Sequence, residues 1–154
     1  MKQLLFLLIV TAISISGCNS VEALMPQNTP PANPQADRAT VIGRLLDAQT
    51  GDPLVDKIGR LADVIREDEG GYFILDLYRS PGAWVDANGY IIFENIPAQE
   101  YVLSIGYGED YADYVAVKNS DGTAKVWNAT PGQILDMGTI RINLTPMPIT
   151  SSPP

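Results

Sequence analysis

The residues from Trp84 to Gly106, WVDANGYIIFENIPAQEYVLSIG, hold a tight turn, two strands and the corner between them in one unbroken stretch. Asp86-Ala87-Asn88-Gly89 supplies residues that tolerate left-handed backbone angles. Tyr90 to Phe93 then alternates with the two-residue period of a strand, which puts Ile91 and Phe93 on one face. Pro97 has no N–H to give a ladder, so that strand is expected to close at Ile96. Beyond the corner, Tyr101, Leu103 and Ile105 resume the alternation. A chain built around this unit reads as the core of a small β-sandwich, and two short strands need further strands to bury their apolar faces.

The rest of the sequence offers them. Thr40 to Asp47 is rich in strand formers and runs into the turn-dense Gln49-Thr50-Gly51-Asp52-Pro53-Leu54. Ile58 to Arg66 is ambiguous, since Leu61, Val64 and Ile65 could line a helical face while strand alternation fits only loosely; its shortness and its neighbours make it a strand. Glu67-Asp68-Glu69-Gly70-Gly71 reads as an exposed loop. Tyr72 to Leu77 reads as a strand with Phe73, Leu75 and Leu77 on one side, and Ser80-Pro81-Gly82 turns the chain back toward Trp84. Gly106 to Asp113 is a loop of tyrosines and carboxylates. Asn119-Ser120-Asp121-Gly122 joins residues 114–118 to 123–127 as a hairpin, with Val115 and Val117 expected to face the core opposite Ala124 and Val126. Tyr114, Lys118, Lys125 and Trp127 are then expected outside. A turn at Thr130-Pro131-Gly132-Gln133 precedes the last strand, Gly138 to Leu144. This spacing of short strands predicts an all-β, seven-stranded Greek-key β-sandwich over residues 39–144.

With 154 residues, 45% hydrophobic and 18% charged, the expectation is one domain with tails. The formal charge of −8 would repel a phosphate backbone, so no nucleic acid is expected as a partner. The sequence contains no histidine. That removes the commonest general base and metal ligand, and with them any Ser-His-Asp or Cys-His apparatus. No cofactor, no metal and no catalysis are expected, and a monomer suffices for a domain of this size.

The chain has one cysteine, so no internal disulfide forms. Its position suggests another use. Lys2 makes a short basic region, Leu4 to Ile15 is apolar over about twelve residues, and Ile15-Ser16-Gly17-Cys18 follows. About twelve residues are too few to span a bilayer as a helix. Small residues at both positions before the cysteine resemble a bacterial lipobox, which implies a lipoprotein signal peptide over 1–17 and lipidation of Cys18. Residues 18–38 would be a lipidated, Pro-rich tether reaching at most roughly 60 Å if extended, and 145–154 a disordered tail. The protein is then expected outside the cytoplasm, held to a bacterial membrane by its lipid.

Within the sandwich region, Val41-x-Gly43, Thr50-Gly51-x-Pro53-Leu54, Asp86-x-x-Gly89-x-Ile91-x-Phe93-x-x-Ile96-Pro97, Tyr101-x-Leu103 and Gly132 with Gly138-x-Ile140 resemble the carboxypeptidase regulatory-like domain family. The resemblance covers about residues 39–144 and implies a transthyretin-like (prealbumin-like) sandwich. Two departures stand out: Ala98-Gln99-Glu100 replaces the Pro-Gly that commonly precedes the tyrosine corner, and Ile58 to Leu77 is longer than the usual second strand. Family members are mostly non-catalytic modules, so the resemblance implies no active site. The histidine-dependent hydrolase and the iron dioxygenases that share the transthyretin-like fold are excluded by composition.

Three functional readings remain. The first is a non-enzymatic, membrane-anchored surface interaction or structural module with an unidentified protein or polysaccharide partner. The second is a carbohydrate-binding module whose ligand contacts are Tyr107, Tyr111, Tyr114 and Trp127, rings placed in loops or on an outer face. The third is an enzyme or a calcium-binding accessory domain. Asp86-x-Asn88-Gly89 resembles part of a calcium loop but lacks the later bidentate carboxylate, and a hairpin turn wants the same residues. Trp84 is expected to cap one end of the core.

Overall fold

The computed structural model describes residues 33–68, 70–108 and 113–144. Cys18, most of the tether, Tyr111 and the 145–154 tail lie outside the described residues. The alternating runs form nine strand segments: β1 (Arg38–Asp47), β2 (Ile58–Glu67), β3 (Gly70–Ile74), β4 (Gly82–Trp84), β5 (Tyr90–Pro97), β6 (Glu100–Gly106), β7 (Val115–Ala116), β8 (Val126–Asn128) and β9 (Ile134–Ile142). One sheet has the order β5-β1-β9, with β1 antiparallel to β5 and parallel to β9. The other runs β3-β2-β6-β7, with β4 also on β2 and β8 also on β6.

The nine segments fill seven strand positions. β3 pairs with β2 at residues 63–67 and β4 pairs with it at 58–60, both on the side of β2 away from β6, so together they make one interrupted edge. β7 and β8 likewise share the edge beyond β6, opposite its residues 104–105 and 100–102. In the three-stranded sheet no two neighbours are consecutive in the chain, which is the non-sequential pairing of a Greek-key sandwich.

The core lies between the sheets. Ile91, Leu61, Leu103, Leu45 and Ile105 are fully buried, with Phe93 at 3% exposure, as the alternation required. Gly59 sits where a Cβ would collide with the Ile91 side chain, so a larger residue there would displace the core. The corner forms despite the missing Pro-Gly: Tyr101 is buried and its hydroxyl donates to the Pro97 carbonyl at 2.8 Å. Asn95 takes a left-handed angle (φ 53°) in a bulge, where Glu94 and Asn95 stand opposite Thr40 of β1.

Several expectations are corrected. β3 stops at Ile74 rather than Leu77 because the Asp76 carboxylate accepts from the Tyr78 and Arg79 amides at 2.8 and 3.1 Å and winds the chain into a turn. β9 begins at Ile134, and Gly138 (φ 72°) is a bulge inside it, where two residues of β9 stand opposite Gly43 of β1. Glu67 and Gly70 belong to strands, which shortens the expected loop between them. Trp84 caps nothing, being 63% exposed on the short β4.

The 119–122 hairpin turn is present, with Asn119 N–H to Thr123 O at 2.8 Å and a bridge between Lys118 and Ala124. Its arms then part to pair separately with β6, so β6 sets which way each side chain points. Trp127 stands opposite Tyr101 and is buried at 8% exposure in the core cluster, while Val126, opposite Val102, is 37% exposed. The expected inward and outward roles on the second arm are therefore exchanged.

Candidate functional site

Of the four aromatic residues expected to meet a ligand, Tyr111 lies outside the described residues and the other three are not gathered into one surface. Trp127 is in the core, with the Lys125 ammonium 4.9 Å from its ring centre. Tyr114 is part-buried; its hydroxyl accepts from Arg60 Nε at 3.1 Å and donates to the Gly108 carbonyl at 2.7 Å. Arg60 Nη1 also donates to Ser80 O at 3.3 Å, so this guanidinium links Tyr114 to the 75–81 loop. Tyr107 is 44% exposed, but its hydroxyl donates to Leu144 O at 2.9 Å and Lys57 Nζ sits 4.5 Å from its ring centre. Tyr107 and Tyr114 lie at the Gly106 end of β6 and Trp127 is paired near the Glu100 end. These are structural contacts with one exposed ring among them.

The Asp86 loop has the geometry of a turn. One carboxylate oxygen of Asp86 accepts from the Asn88 and Tyr90 amides at 2.9 and 2.7 Å, and Gly89 adopts φ 86°. The loop packs against β1, with Leu45 N–H bonded to Gly89 O at 2.7 Å.

Shallow clefts lie on the outer faces of both sheets among the described residues. On the outer face of the three-stranded sheet, Arg44, Tyr90, Asp136 and Thr139 border a space of about 220 Å³. The Arg44 guanidinium lies 5.5 Å from the Tyr90 ring centre and is held there by a bond from its Nε to Asn88 O at 3.0 Å. On the outer face of the other sheet, Val64, Val102, Phe73, Tyr72 and Val126 line a trough of about 200 Å³. Both are smaller than the ~300–1,000 Å³ that bury a drug-sized ligand.

The trough leads to the feature that sequence reasoning missed. Beyond its last pair with β6, Asp63 with Tyr101, β2 continues with β3 as a two-stranded ribbon that projects past the core. Ile65, Tyr72, Phe73 and Ile74 on this ribbon are 37%, 50%, 39% and 48% exposed, and every residue of β3 is exposed. The ribbon is braced by a two-pronged pair, Arg66 Nε and Nη2 to Glu100 at 2.7 and 2.9 Å, and by Gln99 Nε2 to Asp63 Oδ1 at 2.6 Å. The bonds to Arg66 hold the Glu100 carboxyl below its usual pKa. The ribbon is thus an ordered apolar surface. The unusual length of the 58–77 segment was its only signal in the sequence.

No protein-family profile matches the chain, and no curated protein matches it. Solved structures do resemble it at low identity. A DUF3823 family protein from Bacteroides uniformis aligns at 16% identity and TM-score 0.42 over 68% of this chain and 42% of its own. The pilus 2b backbone protein of group B streptococcus aligns at 15% identity and TM-score 0.39 over 68% of this chain and 40% of its own. A proposed carbohydrate-binding protein from Pseudomonas aeruginosa aligns at 17% identity and TM-score 0.39 over 71% of this chain and 92% of its own. The chain spans about two fifths of the first two structures, and all three are similar to it as sandwiches of strands.

Proposed function

We propose that this protein is a lipid-anchored, extracytoplasmic, non-enzymatic module that binds another protein through the β2–β3 ribbon. The observation that carries this reading is the run of exposed apolar side chains on an edge strand, Tyr72, Phe73 and Ile74 with Ile65 beside them. Ile65, Tyr72 and Ile74 share one face of the ribbon and Phe73 lies with Val64 on the other, and exposed apolar surface on a braced element marks an interaction site. The lipobox ending at Cys18 supports the anchor, the absence of histidine supports a non-catalytic role, and the motifs from Val41 to Ile140 support a carboxypeptidase regulatory-like domain as its scaffold. A second reading, sugar binding, has one observation in its favour: the Arg44–Tyr90 cleft beside Asp136 offers a ring, a cation and a carboxylate to a single small unit.

Two measurements on the full chain in its bacterial host test the first reading. Cys18→Ser is expected to move the protein out of the membrane fraction, because two or more acyl chains hold stably where the acidic domain has no basic patch to substitute. A serine variant that resists carbonate extraction would overturn the anchor. Ultraviolet cross-linking from a photoreactive residue at position 72 is expected to give a discrete protein adduct that Ile74→Ser weakens. Absence of a discrete adduct, or one unchanged in Ile74→Ser, would overturn binding through the ribbon, and a glycan array bound by wild type and lost in Tyr90→Ala would favour the second reading.

A further inference from the structure

We infer that the open edge of β3 is a strand acceptor, taking an extended, cation-flanked segment of a partner protein as an added strand. This rests on the protein-binding reading above and names the chemistry of the partner. β3 ends its sheet, and among the described residues no strand pairs with its outer side. An antiparallel ladder leaves every second residue of such a strand with its N–H and C=O turned outward, ready for another chain.

The other edges of this sandwich are blunted. β5 ends in the kinked Asn95 and in Pro97, β9 is broken by the Gly138 bulge between Asp136 and Arg141, and β7 and β8 are two and three residues long. β3 has none of these devices. Its five residues, Gly70-Gly71-Tyr72-Phe73-Ile74, carry no proline, no charge and no bulge. Natural sheets protect such an edge unless pairing there is its use.

The occupant follows from area and charge. The four exposed side chains leave on the order of 300 Å² of apolar surface, well under the ~800 Å² per partner of a standard stable interface. A second copy would add its own net charge of −8 to the same contact. Strand addition differs, because main-chain bonds supply the attachment and alternate side chains the selectivity. Asp63, Glu67, Asp68 and Asp76 flank the ribbon, Arg66 is committed to Glu100, and Arg79 lies five residues beyond β3. The acidic rim favours a segment with lysine or arginine at its ends.

The test uses the full chain in detergent with two synthetic peptides, KTVTVTVK and ETVTVTVE, at up to ~1 mM, read by fluorescence anisotropy and by amide hydrogen exchange. The lysine-flanked peptide is expected to bind at least ~10-fold more tightly than the glutamate-flanked one, to weaken as salt rises, and to protect the amides of Gly71 to Ile74. Phe73→Pro, which removes an edge N–H, and Ile74→Lys, which adds a repelling cation, should each abolish binding while the circular dichroism spectrum stays that of wild type. Equal binding of both peptides, or protection elsewhere, overturns the inference. Protection of β3 that depends on protein concentration without peptide would make a second copy the occupant and overturn it too. If peptides fail while the position-72 adduct persists, strand addition is wrong and protein binding by the ribbon stands. If the adduct is also absent, both fall.

Discussion

Tyr101 ties the corner from the inside, and its chemistry should be visible at high pH. Buried at 1% exposure, its phenol is pushed up to about 12, first by loss of solvent and then by the nearby Asp63 carboxylate, with Arg38 opposing. The folded state therefore keeps the proton to higher pH than the unfolded chain. This group's contribution is fully present below about pH 10 and declines between about pH 10 and 12, by roughly 2 kcal/mol. Urea titrations of wild type and Tyr101→Phe should differ by about 1 kcal/mol at pH 7, from the lost bond to Pro97 O, and the difference should shrink above about pH 10 and reverse sign before about pH 12. A difference that does not shrink with pH would show the phenol to be solvated. Phe93, at 3% exposure, is the companion case in the core. Phe93→Ala should cost about 3–5 kcal/mol in the same assay, and a loss below about 1 kcal/mol would place its ring outside. Both roles were legible in the sequence because period-two alternation fixes a face. The two tryptophans were not, since neither has a periodic run of its own: β4 is three residues long and β8 takes its orientation from β6.

At the level of elements, the turn at Asp86 to Gly89 and the bulge at Gly138 both place a glycine in the left-handed region, for different reasons. A Cβ on Gly89 would come within 2.7 Å of Leu45 O and 3.2 Å of the Pro53 side chain, whereas one on Gly138 meets nothing within 4 Å. Gly138→Ala should then cost about 1 kcal/mol, the backbone penalty alone. Gly89→Ala should cost about 2–4 kcal/mol, because overpacking adds to it. Thermal denaturation of the two variants checks the order, and equal losses would mean the Asp86 loop can lift away from β1. The sequence announced the turn through its residue types. It did not announce the bulge, because a single glycine reads equally as the start of a strand. The ribbon was hidden for a related reason: Glu67 to Gly71 carries every loop signal, yet only Asp68 and Glu69 separate the paired Glu67 and Gly70. Turn residues identify a reversal without saying how far the strands run into it.

Across the whole molecule, the sandwich followed from local patterns, while its partnerships between distant strands did not. Nothing in residues 38–47 or 134–142 foretells that they lie side by side and parallel, since pairing across that separation depends on how both sheets close. The ribbon projects from the end of the sandwich where β1 begins, so the described N-terminal segment and the apolar edge share that end. The candidate site is an edge rather than a cleft, so no convergence of catalytic or sugar-stacking residue types marks it in the sequence. The parallel pairing of β1 with β9 has a mechanical consequence. Arg38 and Leu144 stand at opposite ends of one ladder running from Thr40 with Ile134 to Asp47 with Ile142, interrupted only by the Gly138 bulge. A pull between those ends lies along the strands, across the direction of their hydrogen bonds, and so loads the whole ladder in shear instead of peeling it open bond by bond.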